Sequence, residues 1–543
     1  MSPSDATTGA AADISAAWVR EYLARDGIHP HDAELDALAA AVSAGRAEAD
    51  RLRRTTDVGD GTEGAVWPAG GSNEIARPSD AAAATPIPIP APADDLATVL
   101  GCAAALTAGQ VSSVELVTEL QRRADDADPK LGVYLARFDD QALKAARAAD
   151  AERAAGTVRG PLHGVPLTVK DLILTREGPT TGHSAAPPRH LGGRDAASVA
   201  RLRAAGAIVL GKVSLAEFGF GVPDADAGLP LPRNPWDTDR WPGGSSSGSA
   251  AGVAAGLFPG SIGTDTGGSI RIPAALCGVT GFKPTYGAVS TDGVLPGAPT
   301  VDTVGPIASD AADCLALYQV LAGLPASAPG APATVRGLRI AVDLSGLDRP
   351  GADPAAGNAI EAAMRELTDA GAVVHACAIP HLDVLEAACR IVQGTETYGS
   401  HRDGLAAHWP AYGSITRFFM AAGGAHDARD YLHAQRVRAW GRARLADFFA
   451  DHDIVATPTV GTGAPSLDGE LLGLLPLFYT SVWNATGFPA VSLPGPPDAR
   501  GLPLGIQLAA APGADHRLLT VAHALQTRTD WHRRRPAGAT AVS

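Results

Sequence analysis

From residue 160 onward the apolar residues switch repeatedly between two periods, and this switching limits the fold more than any other feature of the chain. VPLTVK (165–170) alternates apolar and polar positions, the period of a strand, and ends on Lys170. Residues 196–205 follow a helical period, and AIVLGK (207–212) is an apolar run of strand length. Strand patterns recur at 453–459, 490–495 and 504–510, and a helix is predicted over 515–527. Strands interleaved with helices predict an α/β sandwich. Upstream, Ser112 and Glu115 form a capping box that opens a helix through Leu116, Val117 and Leu120.

The first 94 residues read differently. Ile14, Trp18, Tyr22 and Leu23 place a helix over 13–26 that stops at Gly27. A second helix starts near Asp32 and carries Leu35, Leu38, Val42 and Leu52. Residues 56–94 contain GDGTEG, PAGGSNE and TPIPIPAPADD, which cannot continue a helix. The expected organisation is a helical extension over 1–55, a connector or strap over 56–94, a catalytic domain over 95–530 and a tail over 531–543.

Composition removes several classes of function. The net charge is −14, against the basic footprint that sequence-independent nucleic-acid binding needs. No run of 18 apolar residues predicts a membrane span, and the N-terminus lacks the basic and apolar regions of a signal peptide. Five cysteines without CxxC spacing predict reduced thiols in a cytoplasmic protein. Neither HExxH nor a His/Cys ligand cluster occurs, so no metal and no cofactor are expected.

The cationic residues are informative. Of 44 Lys plus Arg only five are lysines, and Lys170, Lys212 and Lys283 fall within 160–290. Arginine keeps its charge at any working pH, whereas a buried lysine can lose its proton. Segment 241–272, WPGGSSSGSAAGVAAGLFPGSIGTDTGGSIRI, holds six serines and nine glycines. Glycines let backbone N–H groups converge on one point, as an oxyanion hole requires. A serine nucleophile needs a base, and no histidine lies between His190 and His375. Lys170 is the candidate, in a Ser–Lys arrangement. Two readings of it stand level: a neutral base made so by burial beside Val169 and Leu172, or a lysine paired to Asp171 or another carboxylate. A rival nucleophile site is GxSxG at Gly244-Ser245-Ser246-Ser247-Gly248, although a turn-like stretch precedes it where that motif expects a buried strand.

Longer motifs carry a resemblance. HGVPLTVKD (163–171), DAASVARLRAAGAIVLGKVSLAEFGFG (195–221), NPWDTDRWPGGSSSGSAAGVAAG (234–256) and GTDTGGSIRIPAALCGVTGFKPTYG (263–287) resemble, in order, segments of the amidase signature enzymes. NATGFPAVSLP (484–494) and GLPLGIQL (501–508) are similar to that family's later signatures, so the likeness spans about 96–527. It implies an α/β/α sandwich with a large mixed central sheet. It also implies Ser269 as nucleophile, Ser245 in a cis peptide as relay and Lys170 as base, with the N–H groups of Thr266, Gly267, Gly268 and Ser269 as oxyanion hole. Ser246, Asp265 and Arg271 would brace these loops, and Lys212 and Lys283 would be structural. One departure stands out: Ser247 occupies a position where the family usually has glycine.

The activity implied is hydrolysis of a small-molecule carboxamide to carboxylate and ammonia or amine. Alternatives are an A-type subunit of a glutamine-dependent amidotransferase, an ester or carbamate hydrolase on the same fold, and a silent binding protein. Region 385–440, with Glu396, Tyr398, Trp409, Phe418, Phe419 and Tyr431, is expected to line part of the acyl pocket, with a place in the core an equal reading for its aromatics. The N-terminal helices and strap resemble the small subunits that wrap some members of the family. An unrelated helical cap or a dimerisation element is the other reading, and the latter leaves a homodimer open.

Overall fold

A computed structural model describes residues 14–54, 96–187, 192–222, 229–325, 335–469 and 471–537. The expected connector over 56–94 and the last residues of the tail lie outside them. One mixed sheet of 11 strands runs through the described residues, in the order β1-β3-β2-β4-β6-β5-β10-β11-β9-β7-β8. The strands are β1 Tyr134–Arg137, β2 Pro166–Lys170, β3 Ile208–Val213, β4 Gly260–Asp265, β5 Thr280–Lys283 and β6 Thr303–Ala308. They continue with β7 Arg339–Val342, β8 Val373–Ala376, β9 Ile454–Pro458, β10 Ala490–Pro494 and β11 Gly505–Ala509. β2 lies parallel to both β3 and β4, and β7 lies parallel to both β8 and β9. The remaining pairs are antiparallel. The expected α/β sandwich is therefore present, and β2, β3, β9, β10 and β11 fall where the periodicity places them.

The central strands are buried on both faces, including the polar positions of β2, β4, β9 and β11. One face packs Val169, Ile262, Val304 and Leu508 into the main core. The other carries Ile208, Leu210 and Ile307 against the Ser247–Ala254 and Arg271–Cys277 helices. Ser112 caps the Ser113–Leu131 helix with both bonds of the capping box formed. The cysteines are unpaired, and four of the five are buried. Among the described residues no helix is long and apolar enough to cross a membrane.

The N-terminal helices are α1, Ala16–Ala24, and α2, Leu35–Arg53, the latter entered through a 3₁₀ turn over Asp32–Glu34. They dock on the body that holds the sheet. Val19, Leu23, Leu38 and Val42 share a core cluster with Tyr398, Trp409, Tyr412 and Met420. Glu34 accepts from the Trp409 indole N–H at 3.0 Å and pairs with Arg417. α2 thus lies across two helices, Leu382–His408 (the long helix) and Ser414–Gly424 (the crossing helix).

The long and crossing helices approach backbone to backbone at Gly394 and Gly423. A Cβ at Gly394 would lie 3.0 Å from Gly423 Cα, and one at Gly423 would collide with the Gly394 carbonyl. Gly399, in the same long helix, has nothing within 4 Å of its Cβ position. Gly423→Ala is therefore expected to lower the melting temperature by several degrees, because overpacking costs about 1–3 kcal/mol. Gly399→Ala is expected to leave it unchanged or raise it, since alanine favours a helix over glycine by about 1 kcal/mol. Thermal denaturation followed by circular dichroism checks the pair; equal effects would contradict this packing.

Candidate active site

Parallel pairing of β2 with β4 brings Lys170, the last residue of one strand, beside Thr264 near the end of the other. The Lys170 ammonium position is fully buried. Its Nζ lies 2.7 Å from Ser245 Oγ and 2.8 Å from Thr264 Oγ1, with the Thr264 carbonyl at 3.4 Å. Burial lowers its pKa to about 7, against the opposing pull of Asp265 and Asp302. That drop corresponds to roughly 5 kcal/mol against the charged form.

Asp171 does not pair with Lys170. Its Oδ1 lies 2.7 Å from Lys212 Nζ, both side chains being buried, and its Oδ2 accepts from the Thr181 N–H at 3.0 Å. The strand that ends at Lys170 thus sends these two consecutive residues to different partners, and the salt-bridge reading of Lys170 falls. The three lysines of 160–290 are all fully buried, whereas Lys130 and Lys144 are exposed. Lys283 donates to the Pro284 carbonyl at 2.9 Å, and its pKa is also held to about 7, by burial first and by the charge of Arg271 second.

Ser245 follows a cis peptide bond, Gly244–Ser245, just before the Ser247–Ala254 helix. Ser246 is buried and donates to the Thr264 carbonyl at 3.2 Å. The Ser246 N–H donates to the Ser269 carbonyl at 3.0 Å, which joins the two serine-bearing loops. Ser247 opens its helix, with Oγ donating to the Gly243 carbonyl at 2.6 Å, and its position needs no left-handed backbone. The next residue, Gly248, is the one a side chain could not replace, since a Cβ would lie 2.7 Å from the Val133 carbonyl.

Asp265 ends β4 and holds the loop that carries Ser269. Its carboxylate accepts from the N–H groups of Gly268 at 2.7 Å and Ile270 at 3.1 Å, and takes two bonds of 2.9 Å from Arg271. Burial raises the Asp265 pKa, but the Arg271 charge and its bonds outweigh this and hold the carboxyl well below its usual range. Arg271 also donates to Asn484 Oδ1 at 2.6 Å, Gln507 Oε1 at 2.8 Å and the Thr480 carbonyl at 2.9 Å. Among the oxyanion-hole candidates, the Gly268 N–H is therefore already engaged. Thr266 is set by its own bonds: Oγ1 donates to Asp302 at 2.7 Å, and its carbonyl accepts from Gln393 at 2.6 Å. Thr480 Oγ1 donates to the Gly267 carbonyl at 2.5 Å.

Ser245, Thr266, Gly267 and Ser269 line one cavity of about 560 Å³. Trp241, Ile272, Phe419 and Phe478 give it apolar walls. Of the aromatics expected from 385–440, only Phe419 reaches it. Tyr398, Trp409 and Phe418 pack against the N-terminal helices, and Glu396 and Tyr431 bond each other at 2.9 Å. The long helix instead offers Glu386, Arg390, Gln393 and Gly394. This spacing is one helical face, so the signal was in the sequence, but nothing there said which face turns inward. Thr264, Asp302, Gln393, Thr480, Asn484 and Gln507 were not assigned roles from sequence; of the five beyond 300 only Asn484 and Gln507 sit within quoted motifs. Among the described residues no group of three or more His, Cys, Asp or Glu is placed to hold a metal.

Comparison with known proteins agrees with this architecture. The family model for Amidase matches residues 115–519. A putative amidase, AmiD, of Mycobacterium bovis is 37% identical over 446 residues, 79% of this chain and 93% of that protein. The A-type subunit of the glutamyl-tRNA(Gln) amidotransferase of Chloroflexus aurantiacus is 35% identical over 483 residues, 81% of this chain and 98% of its own length. The structure of the peptide amidase from Stenotrophomonas maltophilia superposes with a TM-score of 0.70 at 30% identity, covering 84% of this chain and 100% of that one. The motif-bearing loops, the 11-stranded sheet and these likenesses together place the chain in the amidase family, as an amidohydrolase.

Proposed function

We propose that the protein hydrolyses a carboxamide through an acyl-enzyme on Ser269, with Ser245 as proton relay and Lys170 as general base. The observation that carries this reading is the buried Lys170 amine, poised near neutrality, 2.7 Å from Ser245 Oγ. A base must be neutral at rest, and burial supplies that state. Ser269 Oγ attacks the carbonyl carbon while its proton passes to Ser245 and the Ser245 proton passes to Lys170. The developing oxyanion is met by N–H groups of Thr266, Gly267 and Ser269; the Gly268 N–H serves Asp265 instead. Collapse returns the proton from Lys170 through Ser245 to the leaving nitrogen, and ammonia or amine departs. Water then attacks the acyl-enzyme by the same path, releasing carboxylate. Esters and carbamates can enter the same route.

The likeness to the A-type component of an amidotransferase supports a second reading, in which the ammonia is handed to a partner enzyme. Ammonia release from simple amides by the chain alone separates the two; release that requires a partner would favour the second.

The proton path can be tested at each of its members. Ser269→Ala should reduce turnover by several orders of magnitude, whereas Ser246→Ala should stay folded and partly active, and chelators should change neither. A dead Ser246→Ala with a working Ser269→Ala would transfer the chemistry to the GxSxG serine. The pH dependence of kcat/KM on a neutral amide should rise through one ionisation near 7, as Lys170 loses its proton, and stay high on the alkaline side. Lys170→Ala should remove this ionisation together with most of the rate. Lys170→Arg should not restore it, because guanidinium keeps its proton. A near-normal Lys170→Arg enzyme would sink the relay.

A further inference from the structure

The N-terminal extension is part of the cavity wall. Ala41, Ala44, Gly45, Glu48 and Arg51 of α2 face the same space as Ser245 and Ser269. Their spacing of three, one, three and three residues is a single stripe of the helix. Leu38, Val42 and Leu52 lie on the buried stripe that anchors α2 to the body. Small residues dominate the upper part of the cavity stripe, so α2 shapes the space without filling it. Gly45 also seats the His426 ring, whose Nε2 would be 3.3 Å from a Cβ there.

Glu48 is the exception on that stripe. Its Oε1 accepts from Arg390 Nε at 2.8 Å and from a second nitrogen of the same guanidinium. Arg390 lines the cavity from the long helix, one turn before Gln393, whose side chain grips the Thr266 carbonyl. One turn of helix is about 5 Å. Arg390 therefore stands about that far along the helix from the residue that touches the Ser269 loop. An arginine so placed is suited to a substrate carboxylate, which it would bind through two parallel bonds. Glu48 already takes two of its donors. Glu386, buried one turn further back on the same cavity face, adds a second carboxyl group, which pairs with Arg349 at 3.5 Å. A substrate carboxylate would have to displace Glu48 and then sit beside both displaced and resident carboxyl groups.

We propose that Glu48 masks Arg390, and that the N-terminal helix thereby makes this site select amides with uncharged, apolar acyl groups over amides that carry a carboxylate. The remaining walls agree, since Val222, Trp241, Ile272, Phe419 and Phe478 offer apolar contact. Arg51, three residues beyond Glu48 on α2, is the other cavity arginine, so the test must tell the two apart. The inference rests on the amidase reading for its substrate class but is tested by binding alone.

The experiment measures, by calorimetry, the affinity of the full-length Ser269→Ala chain for glutaramate and for its uncharged counterpart pentanamide. The readout is the ratio of the two dissociation constants. The Ser269→Ala chain should prefer pentanamide. Adding Glu48→Gln should shift the ratio toward glutaramate by at least tenfold, and adding Arg390→Gln to that should return it. Arg390→Gln without the Glu48 change should move the ratio less than threefold, because a masked arginine contributes little; this variant keeps the test decisive if the Glu48→Gln chain does not fold. An unchanged ratio in folded Glu48→Gln overturns the proposal. So does a gain that survives Arg390→Gln, which would pass the role to Arg51, and so does a tenfold loss of glutaramate binding on Arg390→Gln alone. Absence of binding by either compound to every form also overturns it. Failure of the amidase reading is a different result: no ammonia from any carboxamide with the unmodified chain.

Discussion

The buried ion pair between Asp265 and Arg271 fixes the geometry on which the site depends. Asp265 closes β4, and Arg271 opens the helix that follows, so the pair folds the intervening loop back on itself. Buried charges of this kind survive only when their remaining hydrogen-bonding capacity is met. Here Asp265 also receives the Gly268 and Ile270 N–H groups and the Asn484 amide, while Arg271 reaches Asn484, Gln507 and the Thr480 carbonyl. Asn484, Gln507 and Thr480 come from the Ser481–Thr486 helix, β11 and the residue before that helix, more than two hundred residues away in sequence. The loop bearing Ser269 is held from across the sheet, which is why its backbone can be both glycine-rich and fixed.

The same burial divides the lysines by what surrounds each. Lys212 keeps a carboxylate partner in Asp171 at 2.7 Å, and removing either member would leave a buried charge at a cost of about 3–5 kcal/mol. Lys170 has hydroxyls and a carbonyl around it in place of a carboxylate; burial lowers the pKa of both lysines and takes that of Lys170 to about 7. Two lysines on adjacent strands, 42 positions apart, thus meet different neighbours. Choosing between them is a matter of which neighbour each strand end meets.

The N-terminal helices join this centre to the periphery. They bury their own apolar stripe against the long and crossing helices, and those two helices in turn touch backbone to backbone at Gly394 and Gly423. α2 packs on both of these helices, and the long helix carries the Gln393 side chain that grips the Thr266 carbonyl. An element that reads in sequence as an appendage is therefore continuous with the cavity wall.

What the sequence determined alone was local or motif-borne. The period of 165–170, 207–212 and 504–510 marked β2, β3 and β11, because a strand's alternation or apolar run is written within a few residues. The capping box at Ser112 was legible for the same reason. Lys170, Ser245 and Ser269 were singled out by the scarcity of lysine and by ordered motifs, and the tertiary structure brings Lys170 and Ser245 into contact and sets Ser269 in the same cavity. The partner of Asp171 was not legible, since parallel strands pair across 40 residues or more with no local signal. Nor was the inward face of the long helix: Glu386, Arg390 and Gln393 form one stripe and Tyr398 lies off it, and only packing against α2 and the crossing helix decides which stripe meets the cavity. Orientation of this kind is a property of the assembled helices, because an isolated helix with apolar residues on several sides has no preferred face until its neighbours bury one.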